Sequence, residues 1–192
     1  MSNNIPFRGA DYSQPVSSGK SKVYFSGKVA TNTENAGGGS PGYSFIDLPA
    51  MTNTDTFVSS VDDAGTNVFD GTSFTAPRDG IYKIDAHVNC YKSDGSSDHN
   101  FDWTHSRPNI HYVKLKFRKT PNGGSEADYG AEAVSMEDYD GGRATKVHLT
   151  SIMSLSAGDA IKAQQETFSW PGSGDGAYVV GLDTGMSGMN ID

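Results

Sequence analysis

The sequence predicts an all-β chain, an antiparallel β-sandwich of short strands, and three observations carry that expectation. From Tyr82 onward, Tyr82, Ile84, Ala86, Val88 and Cys90 alternate with Lys83, Asp85, His87, Asn89 and Tyr91, the period of two that gives a strand one buried and one wetter face. No charge interrupts the apolar set, so this run is expected at the centre of the core. The chain of 192 residues also holds 23 glycines and 8 prolines, a density of turn formers that suits short strands and not long helices. Finally, eight to ten strand-like runs follow one another with no obvious helix between them.

In chain order, residues 1–21 are polar and broken by Pro6 and Pro15, with Ile5, Phe7 and Tyr12 as the large apolar anchors; such an arm does not bury enough to fold alone. The domain is expected to span residues 22–192. Lys22 to Ala30, with Val23, Phe25 and Val29, reads as the first strand. NAGGGSPG (35–42) is a loop, residues 43–48 a short strand, and the Thr/Asn-rich stretch up to Phe57 a connection. A short strand at Phe74 closes on Ala76-Pro77, and Arg78-Asp79-Gly80 turns into the central strand. After a long segment, 93–109, come a strand from His111 to Lys119 and a brief one at 131–136. Residues 143–156 form a long strand with Val147, Leu149, Met153 and Leu155 on one face and Ile152 on the other. Gly158-Asp159 turns it into residues 160–168, and 176–183 is read as the last strand.

Several of these residues carry a resemblance. Val68-Phe69-Asp70, Phe74, Ala76-Pro77, Gly80 and Tyr82 resemble the Phe-Asp…Phe-x-x-Pro…Gly-x-Tyr signature of the complement C1q globular head, the jelly-roll family that includes tumour necrosis factor. Val113-Lys114-Leu115-Lys116-Phe117-Arg118 before Pro121-Asn122-Gly123 resembles its strand ending in an Arg-Asn-Gly turn. Leu155-Ser156-Ala157-Gly158-Asp159-Ala160-Ile161 resembles its Leu-x-x-Gly-Asp-x-Val hairpin. The three occur in the family's order, over roughly residues 43–183, although the segment 93–109 is longer than the family's turn at that place. The resemblance implies a C1q/TNF-like jelly roll, a homotrimer, and action by binding and not by catalysis.

Charge narrows the partners. Fifteen Lys and Arg against 23 Asp and Glu leave a net charge of -8, which excludes a general nucleic-acid binder because phosphate recognition is built on basic side chains. Cys90 is the single cysteine; no intrachain disulfide exists, and its place on the apolar face makes it a buried thiol. No apolar run serves as a signal peptide or a membrane span, so synthesis in a host cytoplasm without membrane insertion is expected.

For chemistry, SDHNFDWTHSRPNIH (97–111) gathers His99, Asp102, His105 and His111 beside Asp98. Imidazole with carboxylate suits zinc, manganese or iron, yet no His-x-His or His-Glu-x-x-His motif is present. Asp62-Asp63 and Glu137-Asp138-Tyr139-Asp140 supply oxygens for calcium without an EF-hand spacing. The expectation is therefore no catalytic residue, no cofactor and no resident metal, with His99, Asp102, His105 and His111 the ligand set if a transition metal binds. Gly172-Ser173-Gly174 lacks the strand-to-helix setting of a nucleophile elbow. The stripe Lys114, Lys116, Arg118 reads as the wet face of a strand or as a contact for an acidic partner. Phe101, Trp103, Tyr129, Tyr139 and Trp170 fall in segments read as irregular, where they anchor loops or meet a partner.

These readings converge on a non-enzymatic virion structural protein of a bacteriophage: a trimeric jelly roll that decorates or cements a capsid, contacting a major capsid protein, or heads a fibre or spike. The alternative is an adhesin or lectin-like module for host-surface glycans. The partner contacts are expected from Ile5, Phe7, Arg8 and Tyr12 on the arm and from Phe101 and Trp103.

Overall fold

The computed structural model describes residues 22–35, 45–59, 68–92, 110–136, 144–169 and 178–192. They form twelve strands and no helix: β1 (Lys22–Val29), β2 (Thr33–Asn35), β3 (Ile46–Asp47), β4 (Met51–Ser59), β5 (Ser73–Thr75), β6 (Gly80–Lys92), β7 (Ile110–Thr120), β8 (Ala127–Met136), β9 (Ala144–Leu155), β10 (Ala160–Ser169), β11 (Tyr178–Val180) and β12 (Gly185–Asn190). All pairings are antiparallel. The seven-stranded sheet runs β2-β11-β6-β12-β1-β4, with β9 along the other edge of β6; the five-stranded sheet runs β3-β10-β7-β8, with β5 on β10.

The strand β6 is central because its two faces answer to different surroundings. Tyr82, Ile84, Ala86, Val88 and Cys90 are all buried between the sheets, while Ile81, Lys83 and His87 are exposed on the outer face. Opposite them, Val113, Leu115 and Phe117 of β7 and Ile161 and Ala163 of β10 close the core. Phe25 stacks between Phe69 and Phe74, with ring centroids 5.0 and 4.5 Å apart, and Phe74 meets Tyr82 at 5.4 Å. Four aromatic rings thus fill one end of the sandwich, where offset stacking adds to their burial. Toward the other end the core turns polar: Cys90 Sγ donates to Gln165 Oε1 at 3.4 Å and lies 3.8 Å from Thr167 Oγ1. Burial pushes the Cys90 thiol up to about 12, so it is an inert core group.

The three stretches that carry the family resemblance meet at the aromatic end. Ala76 N–H donates to the Asp159 carbonyl at 2.9 Å and Gly158 N–H to the Ala76 carbonyl at 2.8 Å. The Asp159 carboxylate accepts from the backbone N–H of Asn122 at 3.0 Å and of Ser156 at 2.9 Å, and from Lys119 Nζ at 2.7 Å. Asn122 Nδ2 donates to the Ala157 carbonyl at 3.2 Å, and Ala157 N–H to Asp79 Oδ1 at 2.8 Å. Gly158, at φ 84°, makes the turn that a side chain would strain. The shared residues are therefore the joinery between three loops and not a ligand site.

Three strands escaped the sequence reading, the short β2 at the start of the expected loop among them. GMSGMN, placed beyond the expected last strand, is β12, the central strand between β1 and β6. Its weak strand propensity is overridden by packing: a Cβ on Gly188 would stand 2.5 Å from Phe25 Cε1 and 3.1 Å from the Lys83 carbonyl. Gly188→Ala is expected to lose about 1–3 kcal/mol of stability by overpacking, read as a lowered denaturation midpoint with an unchanged m-value. MTNTDTFVS, read as a connection, is β4, paired along β1 at the sheet edge. An edge strand tolerates the Thr, Asn and Asp that depress propensity. Further, β8 is longer than expected, and it carries Tyr129 as a strand residue packed against the core instead of an irregular loop anchor.

Candidate functional site

The described residues present two surfaces large enough to meet a partner, the outer faces of the two sheets, and their chemistry differs. On the five-stranded sheet the basic stripe is neutralised by its own strands. Lys114 Nζ lies 3.6 Å from Glu166 Oε2, Lys116 Nζ 3.0 Å from Asp128 Oδ1, and Arg118 Nε 3.2 Å from Glu126 Oε1. The register places Lys114 opposite Glu166 and Arg118 opposite Asp128. Lys162 joins the network through Glu126 at 2.7 Å and Asp47 at 3.0 Å. Lys116 is buried, its ammonium 3.7 Å from the centroid of the Phe45 ring. With their charges already met, these cations offer an acidic partner little, and the stripe is a structural feature of its own sheet.

The outer face of the seven-stranded sheet is different. The register aligns Ile152 of β9, Lys83 of β6, Met189 of β12 and Tyr24 of β1 in one row across four strands. In the next row, Ile191 N–H donates to the Ile81 carbonyl at 2.9 Å, which places the two isoleucines side by side. Ile152 is 66% exposed, and Ile81, Met189 and Ile191 are each more than 40% exposed. Exposed large apolar side chains scattered singly are ordinary; gathered in adjacent rows on one face they mark a surface that another body covers. Of these four, Ile152 was visible in the sequence as the apolar member of the wrong face. Ile81, Met189 and Ile191 were missed because Ile81 precedes the clean alternation, Met189 belongs to the unrecognised β12 and Ile191 directly follows it.

Beyond the apolar rows the same face is polar. Asp85 accepts from Thr150 Oγ1 at 2.5 Å and pairs with Lys83 Nζ at 3.3 Å. One row further, His87 stands directly opposite His148, with ring centroids 6.5 Å apart and planes inclined by 58°. His148 Nε2 lies 3.6 Å from Asp85 Oδ1. Burial of part of the His87 ring and the neighbouring His148 push its pKa below 6.5, against a hydrogen bond to the Asp183 backbone that favours the proton. Gly185 is opposite His87 on the other side; a Cβ there would come within 3.0 Å of His87 Cε1, so the glycine makes room for the ring.

The site residues expected from sequence fall elsewhere. Ile5, Phe7, Arg8, Tyr12, His99, Phe101, Asp102, Trp103 and His105 lie outside the described residues, and His111 is described only as part of the backbone of β7. Among the described residues no three or more His, Cys, Asp or Glu side chains gather as a metal site, and no helix is long and apolar enough to cross a membrane.

No family model matches the chain, and no curated protein matches it in sequence. Solved structures do match. Murine APRIL at pH 5.0 covers 88% of this chain and 99% of its own at 9% identity, with a TM-score of 0.54. The globular domain of zebrafish complement 1qA covers 88% and 98% at 10% identity, with a TM-score of 0.51. The fold is the C1q/TNF jelly roll. At such identities the likeness is one of architecture, and it agrees with the antiparallel two-sheet sandwich expected from the strand pattern and the three signatures.

Proposed function

We propose that the chain is a non-enzymatic structural module that assembles as a homotrimer through the apolar rows at one end of the outer face of its seven-stranded sheet, and that it serves as a bacteriophage virion protein. The observation that carries the reading is the pair of apolar rows, Ile81 with Ile191 and Ile152 with Met189, left open on a sheet whose other face is the core. Copies arranged about a three-fold axis bury such a face without exposing a new one. The C1q/TNF jelly roll supports the same assembly, as the sequence resemblance implied. The virion setting is supported by the sequence: an acidic chain of net charge -8, one cysteine without a disulfide partner, and the arm 1–21 with Ile5, Phe7, Arg8 and Tyr12 as candidate contacts for a major capsid protein.

Light scattering is expected to give a mass about three times the 20.4 kDa of one chain. Ile152→Lys is expected to shift that mass toward the monomer, weakening association by about 30-fold or more, because a charge at the centre of an apolar contact costs at least about 2 kcal/mol. Ile152 is exposed in the single chain, so the variant keeps its melting temperature in the monomeric state; a wild-type monomer at micromolar concentration overturns the assembly. The virion role is tested by counting copies in a purified particle and by deleting residues 1–21. A capsid-covering role requires many copies, and a truncated trimer that no longer associates. A few copies at a fibre tip would move the reading to host attachment, where a host-surface glycan is the ligand to assay.

A further inference from the structure

We propose that His87 and His148 form a two-imidazole chelate for a borderline divalent cation of the zinc class on the outer face of the seven-stranded sheet. The two residues are direct partners in the β6–β9 register. Directly opposed side chains on one face of an antiparallel pair start with Cβ atoms about 4.5–5.5 Å apart, a span that two imidazoles close onto one ion. A zinc–nitrogen bond of about 2.0–2.1 Å places each ring centroid about 3.2 Å from the metal, so two rings on one tetrahedral ion stand about 5 Å apart. The rings here are 6.5 Å apart, and the His148 side chain is 61% exposed, so its rotation toward His87 is what closes the gap.

The surroundings supply what a ligating imidazole needs. Where the His87 ring N–H donates to the Asp183 backbone, the other ring nitrogen is left as an acceptor, the arrangement that orients metal-bound histidines. The Asp85 carboxylate stands 3.6 Å from His148 Nε2 and is itself held by Thr150, so it supports His148 from the adjoining row. The nearest cation of β9, Lys146, is paired with the Asp183 carboxylate at 3.1 Å, which moderates its repulsion of an incoming ion. No third protein ligand is gathered at the pair, consistent with the absence of larger clusters among the described residues; water completes the coordination, and binding is by a bidentate site. Imidazole with water suits zinc, copper and nickel over magnesium or calcium, whose preference is for oxygen.

The test is equilibrium titration of tag-free protein with zinc chloride, followed by calorimetry, and with cobalt(II), followed by its visible spectrum. Three proteins are compared: wild type, His87→Asn/His148→Asn, and His99→Asn/His105→Asn/His111→Asn. The proposal expects one saturable equivalent per chain in the wild type, retained in the triple variant and lost in the double variant. Circular dichroism of the double variant should match the wild type, since His148 is 61% exposed. Absence of saturable zinc uptake in the wild type overturns the site, as does uptake that survives the double variant or disappears only in the triple variant.

Discussion

Replacing Tyr82 by alanine is expected to lower the unfolding free energy by about 3–5 kcal/mol, the largest loss at any single position in β6. Tyr82 is fully buried, its ring meets Phe74, and its hydroxyl donates to the Arg78 carbonyl at 2.9 Å. The truncation therefore opens a cavity beneath the aromatic cluster and breaks the hydrogen bond that holds the turn before β6. Tyr82→Phe separates the two contributions: it keeps the ring and should cost about 1 kcal/mol, the net worth of one neutral hydrogen bond. Urea titration of both variants reads the difference. With total stabilities of about 5–15 kcal/mol, the alanine variant loses a large share of the whole. An unchanged midpoint in Tyr82→Ala would mean that the ring does not face the core.

The Tyr82 position was legible in the sequence because burial on one side of a strand writes a period of two that needs no partner to be recognised. The same holds for Val113, Leu115 and Phe117, and for Val147, Leu149, Met153 and Leu155, all of which face the core as expected. What the sequence concealed depends on distant neighbours. Gly185 and Gly188 lie beyond the strand read as the last, yet they belong to β12, where the His87 and Phe25 rings occupy the space that side chains would need. The burial of Lys116 was equally hidden, since Phe45 just before β3 and Asp128 of β8 cover it. The histidines singled out from sequence, His99, His105 and His111, were chosen for closeness along the chain. His87 and His148 lie far apart in sequence and become neighbours only through the register of β6 with β9.

The two outer faces show why charge alone was a poor guide to the site. The basic stripe on β7 stands out in the sequence, but Glu166 of β10, Asp128 of β8 and Glu126 just before β8 meet its cations, and the face is satisfied within one chain. The face of β6, β9 and β12 has fewer charges and leaves its apolar rows uncovered. Apolar side chains, unlike ions, have nothing to gain from water, so the uncovered rows and not the stripe define where a second body gains most by docking.

Asp159→Asn is expected to cost about 2–3 kcal/mol at neutral pH, and that cost should disappear in acid. The carboxylate is buried, and burial alone would raise its pKa; the Lys119 ammonium and the N–H groups of Ser156 and Asn122 outweigh this and hold it below its ordinary 3.8. Because the folded-state pKa lies below the unfolded one, the carboxylate's contribution is fully present above about pH 4 and is lost as pH falls through the folded value. Asparagine resembles the protonated acid: it offers Asn122 or Ser156 one oxygen but meets the Lys119 ammonium without charge. The gap between wild type and variant should therefore be constant from neutral pH down to about 5 and narrow steadily below 4. Denaturation of both proteins across that range measures it directly. Since Asp159 ties the three loops that carry the family resemblance, the variant should also loosen the turns at Ala76, Asn122 and Gly158 together, visible as faster amide exchange at all three. A gap that persists unchanged to pH 2 would show that the carboxylate's charge is not what closes this end of the sandwich.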